Sequence, residues 1–119
     1  MVNKYRGELE VSLKGKKYKT KLSLDSIVRI ETALGKSILE VANDLMNSRM
    51  KMTDVITILT QAIRGGGNDL TEKEIGRIVF DIGIVESFKV VGEILTNTIT
   101  GGENDDIEKK EETESSQPN

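Results

Sequence analysis

Glu8-Leu9-Glu10-Val11-Ser12-Leu13-Lys14-Gly15-Lys16-Lys17-Tyr18-Lys19-Thr20-Lys21-Leu22-Ser23-Leu24 alternates apolar and polar side chains on both sides of a glycine. Period two over such a run is the signature of half-buried strands. A two-residue loop at Gly15-Lys16, with Gly15 leading a type II′ turn, pairs Leu13 with Tyr18, Val11 with Thr20 and Leu9 with Leu22. The other face then sets Glu10 against Lys21 and Ser12 against Lys19, and cross-strand pairs of this kind contribute roughly 0.2–1 kcal/mol each. A lone hairpin is marginal in water, so its apolar face must cover something.

The residues that follow supply the cover. Asp25-Ser26 predicts the cap of a helix carrying Ile27, Ile30 and Leu34, closed by Gly35 in the left-handed conformation. Ser37 and Glu40 have the spacing of a capping box before Ile38, Val41, Ala42 and Leu45. Thr53-Asp54 opens a helix with Val55, Ile58, Leu59 and Ala62 on one face, ended by Gly65-Gly66-Gly67. Thr71 and Glu74 form a second capping box ahead of Ile75, Ile78, Val79 and Ile82, and Gly83 marks a joint. A last helix, Ile84 to Ile99, turns Phe88, Val91 and Leu95 inward, with Gly92 on the same face. The expected fold is a mostly helical α+β domain, an N-terminal β-hairpin packed on about five short helices.

Charge sets the expected boundary of that domain. Residues 1–102 hold fifteen Lys+Arg and thirteen Asp+Glu, whereas 103–119 hold two and seven, together giving the formal −3. The second segment has one large apolar residue, Ile107, too little to offset ordering entropy. A single domain over 1–102 and a disordered acidic tail over 103–119 are therefore expected. Neither the start of the chain nor its nine-residue uncharged stretches, Val55–Ile63 and Ile94–Gly102, look like a signal peptide or membrane span. A cytoplasmic protein is expected, with no membrane partner.

Composition narrows the chemistry. The 119 residues include no Cys and no His, which removes thiolate nucleophiles, Cys-ligated zinc and the commonest general base and metal ligand. No residue stands out as catalytic, metal-binding or cofactor-binding, and an enzyme is not expected. Arg64-Gly65-Gly66-Gly67 invites comparison with a phosphate loop, but Glu72 and Glu74 open the next helix where the anion would sit. A helix–helix connection fits better. The hairpin lysines, with Lys16 and Lys17 at its tip, read as edge protection or a protein-binding tip; nucleic acid is the weaker alternative. Met46, Met50 and Met52 cluster around the joint between the second and third helices. They are either gap-fillers beneath it or the lining of a partner groove.

Arg6-Gly7-Glu8, the hairpin around Gly15-Lys16-Lys17-Tyr18 and Ile30-Glu31-x-x-Leu34-Gly35-Lys36-Ser37 together form a recognisable string. Thr53-Asp54-Val55, Ala62-Ile63-Arg64-Gly65-Gly66-Gly67, the helix after Thr71 and the joint at Gly83 continue it. Over about residues 4 to 100 the chain resembles small gene-transfer-agent proteins related to phage tail assembly chaperones. The resemblance implies a non-enzymatic chaperone that binds the tape-measure protein and helps recruit tail-tube protein, used in many copies, with a second copy of itself, as a homo-oligomer, among its candidate partners. The alternative is a tail-completion or connector subunit retained in the particle.

Overall fold

The computed structural model describes residues 8–101. Strand β1 (Glu8–Leu13) pairs antiparallel with β2 (Lys16–Lys21), and five helices follow: α1 (Leu24–Leu34), α2 (Ile38–Met46), α3 (Met52–Gly65), α4 (Glu72–Ile82) and α5 (Ile84–Ile99). The expected mostly helical α+β architecture is the one observed. The acidic stretch 103–119 lies outside the described residues.

The hairpin differs from expectation in its turn. Its loop is Lys14-Gly15, with φ of 56° and 78°, and not Gly15-Lys16. Two successive positive φ values belong to a type I′ turn, whose twist matches that of the strands. The register moves by two residues, to Leu13 opposite Lys16, Val11 opposite Tyr18 and Leu9 opposite Thr20. An even shift keeps every side chain on its face. The outer face gains by it, because Glu8 now opposes Lys21 and Glu10 opposes Lys19, two opposite-charge pairs where the expected register has one.

Helix α3 is the hub, packed against β2, α1, α4 and α5. Its Val55, Ile58, Leu59, Ala62 and Ile63 are fully buried, meeting Leu13 of β1, Ile30 of α1, Ile75 of α4 and Val91 of α5 in one core. Each large aliphatic side chain so buried contributes about 1.5–3 kcal/mol. Buried hydroxyls stay inside because they are satisfied: Thr20 Oγ1 donates to the Leu9 carbonyl at 2.8 Å and Thr60 Oγ1 to that of Ile56 at 2.7 Å.

Helix starts follow the expected chemistry with two corrections. Both capping boxes form, Ser37 with Glu40 and Thr71 with Glu74. The cap of α1, however, is Ser23, whose Oγ accepts from the Ser26 amide at 3.2 Å. Ser26 itself is buried one turn inside the helix, and Asp25 falls in the first turn, where its charge complements the dipole. Helix α3 starts at Met52 behind Lys51 and has no side-chain cap. Its burial, and not its cap, holds it. Gly35 closes α1 at φ 72°, as expected of a left-handed C-cap. Val91 and Leu95 of α5 are buried, and Phe88 is half-buried against the core.

Candidate functional site

The glycine triplet is a packing device. A Cβ at Gly65 would stand 2.0 Å from the Lys21 carbonyl oxygen, and one at Gly66 would stand 1.9 Å from that of Lys19. Only glycines let the C-terminal end of α3 come this close to β2. Asn68 completes the seal, its Nδ2 donating to the Lys19 carbonyl at 2.9 Å and the Ile63 carbonyl at 3.1 Å. Gly67, at φ 99°, turns the chain away. The outward carbonyls of β2 are thus covered by a helix end, one of the ways a protein blunts a sheet edge. On the next helix Glu74 is occupied by its cap, accepting from the Thr71 amide at 2.8 Å.

The tip lysines divide by partner. Lys14 Nζ reaches Asp81 of α4 at 2.6 Å and pins the turn to the end of that helix. Lys16 Nζ lies 5.4 Å from the centroid of the Tyr18 ring, within cation–π range. Lys16 and Lys17 are both exposed.

The three methionines do not form one surface. Met50 is buried in the core and Met52 packs half-buried against it, whereas Met46 is 80% exposed. Met46 stands on the lip of a groove of about 720 Å³ between α2, α5 and β1. Leu9, Ala42, Leu45, Gly92 and Ile99 give it an apolar lining; Glu10, Glu93 and Lys89 stand around it. The small residues at 42 and 92 leave the space open. A Cβ at Gly92 would make ordinary contact with Leu45 Cδ2, at 3.4 Å. Outside the groove lining, Lys36 pairs with Asp44 of α2. The hydrogen bond that the Lys36 ammonium donates to Asp44 holds it above its usual pKa, against some desolvation.

A second surface lies at the joint between α4 and α5. Gly83 has φ 94° and ψ 165°, a backbone region open essentially to glycine alone. The sharp corner projects Phe80, Ile84 and Val85, which are 84%, 61% and 83% exposed. Ser87 fastens the corner from inside, its Oγ donating to the Gly83 carbonyl at 2.7 Å. Sequence reading finds the joint but not the knob on it. The available signal is that Phe80 falls off the Ile75-Ile78-Val79-Ile82 stripe, and that Ile84-Val85 follows the glycine directly. Clustered exposure of this kind marks an interaction surface more than scattered apolar residues do.

Among the described residues no helix is long and apolar enough to cross a membrane. A protein-family model described as "Phage tail tube protein, GTA-gp10" matches residues 6–101. No curated protein and no solved structure matches the chain.

Proposed function

We propose, from the premise that the chain belongs to the phage tail tube protein, GTA-gp10 family, that it is a non-enzymatic structural subunit of the tail of a phage-like particle, such as a completion or connector subunit. The observation that carries this reading is the knob of Phe80, Ile84 and Val85, large apolar side chains left in water by the monomer. Such a cluster is stabilised when a neighbouring subunit covers it. A chain without Cys or His works through contacts of this sort more readily than through covalent chemistry. Its neighbours are then other tail components, the tail-tube protein among them.

Quantitative mass spectrometry of purified particles tests the reading. The chain is expected at a fixed ratio to the tail-tube subunit, and its absence from finished particles overturns the assignment. A second reading has its own support in the apolar groove between α2 and α5, which is of a form that accepts an amphipathic helix. In that reading the protein is a transient tail assembly chaperone: it shields the tape-measure protein, helps recruit tail-tube subunits and leaves before the particle is complete. Co-expression then raises the soluble yield of the tape-measure protein, and the same particles lack the chain.

A further inference from the structure

Among the described residues one buried polar side chain is left without a partner. The hydroxyls of Thr20, Ser26, Thr60 and Ser87 are all enclosed and all hydrogen-bonded. Asn97 of α5 is enclosed as well, only 6% exposed, yet its Nδ2 finds no acceptor among the described residues. An amide donor so placed is costly unless something supplies an oxygen. Glu93 and Thr100, one turn to either side of Asn97, both line the groove between α2, α5 and β1. The unmet donor and the apolar groove therefore share the last turns of one helix.

Two segments outside the described residues are tethered at that place. Residues 1–7 join β1 beside Leu9 and Glu10, and residues 102–119 follow α5 just beyond Ile99 and Thr100. Charge distinguishes them. On the groove Glu10 and Glu93 outnumber Lys89, and residues 102–119 carry seven acids against two lysines, so like charge opposes their entry. The other segment, Met1-Val2-Asn3-Lys4-Tyr5-Arg6-Gly7, holds two basic side chains and no acid. The alternation of β1, continued backward, groups Tyr5 and Gly7 with apolar Leu9, and Lys4 and Arg6 with Glu8 and Glu10. Tyr5 is four residues from Leu9, a span of at most roughly 14 Å, so the groove is within its reach. The tether makes any such contact intramolecular and raises its effective concentration.

We propose that residues 2–6 lie across the groove as an intramolecular strap, with the Tyr5 ring between α2 and α5, Lys4 and Arg6 at the acidic rim, and a backbone carbonyl of the segment accepting from Asn97 Nδ2. The ring fills apolar space that Ala42 and Gly92 leave open and keeps its hydroxyl at the wet edge. A helix from another protein then reaches the groove only by displacing the strap. The inference stands apart from the tail role, since it concerns what closes the groove in the isolated chain.

The test is made by NMR on the full chain. The sequence has no cysteine, so Asn3→Cys carries a nitroxide at a single place. The label is expected to broaden the methyls of Leu45 and Ile99 far more than those of Val85, roughly 20 Å away at the other end of α5. Nuclear Overhauser effects are expected between the Tyr5 ring and the Leu45 methyls. Tyr5→Ser should abolish the broadening and speed exchange of the Asn97 side-chain amide about tenfold, the equivalent of one hydrogen bond; circular dichroism checks that the helices are retained. A Tyr5 ring without contacts in the groove, together with a label that broadens no groove methyl, overturns the strap. So does an Asn97 amide that exchanges equally fast in Tyr5→Ser and the parent. If a label on Ser115→Cys broadens the groove methyls instead, the occupant is the acidic segment. If broadening appears only between labelled and unlabelled copies, the occupant is a second chain. Either result overturns the proposal. Particle composition is measured separately, so failure of the strap leaves the tail role standing.

Discussion

A methyl group added at Gly66 would meet the Lys19 carbonyl oxygen at 1.9 Å, and backbone on both sides leaves nothing flexible to yield. Gly66→Ala is therefore expected to lower stability by about 3 kcal/mol. Gly76 is the control. It lies within α4, and the nearest atom to an added Cβ is Ile56 Cδ1 at 3.8 Å. Gly76→Ala should raise stability by about 0.5–1 kcal/mol through helix propensity and reduced unfolded-state entropy. Urea midpoints of the two variants check the pair. Sequence shows that the triplet breaks a helix; that it also fits against a strand is invisible, because its partners are carbonyls 44 and 47 positions back in the chain. Lys36 gives a pH signature. Its folded-state pKa lies above the ordinary 10.5, chiefly through the hydrogen bond it donates to Asp44. A raised pKa means that the pair's contribution is fully present below 10.5 and is lost as pH rises through the folded value. The difference in urea midpoint between the parent and Lys36→Met should hold near neutrality and vanish in strong alkali.

Elements were readable where their chemistry is local. The two capping boxes act over three residues, so Ser37/Glu40 and Thr71/Glu74 could be placed from spacing alone and both form. Thr71→Ala is expected to cost about 1 kcal/mol, measured by thermal or urea unfolding. Gly83→Ala should cost about 1–3 kcal/mol for a different reason, the forced φ of 94° and ψ of 165°. The loss should appear chiefly as faster amide exchange in α4 and α5, the two helices that meet there. The hairpin illustrates the limit of local reading. Alternation determines which side chains share a face but is blind to an even slip, and the choice between Gly15-Lys16 and Lys14-Gly15 depended on turn twist and on one extra Glu–Lys pair. The cap of α1 moved to Ser23 for a similar reason, since several neighbouring polar residues could serve and packing buried Ser26.

At the scale of the molecule, two phenylalanines separate folding from association. Phe80 is 84% exposed, whereas Phe88 packs against the core. Phe80→Glu should leave the unfolding free energy of the monomer within about 0.5 kcal/mol, and Phe88→Ala should lower it by more than about 2 kcal/mol; chemical denaturation at low concentration distinguishes them. This difference is also why the candidate site was only half legible. An apolar residue in a helical sequence reads as core by default, and only assembled helices reveal that Phe80 and Val85 project outward while Met50 is enclosed. Of the methionine cluster, Met46 alone belongs to the groove.

The seal between Asn68 and Lys19 joins residues 49 apart in the chain. During synthesis, then, the hairpin leaves the ribosome well before the segment that will close its side, and until residue 68 has emerged its outward carbonyls face only solvent. Translation that stalls or stops short of that point releases a ribbon with one bare margin, open to pairing with another nascent chain. The last turn of a helix thus acts as a late-arriving guard, and completing it is what makes the earliest-made part of the protein safe.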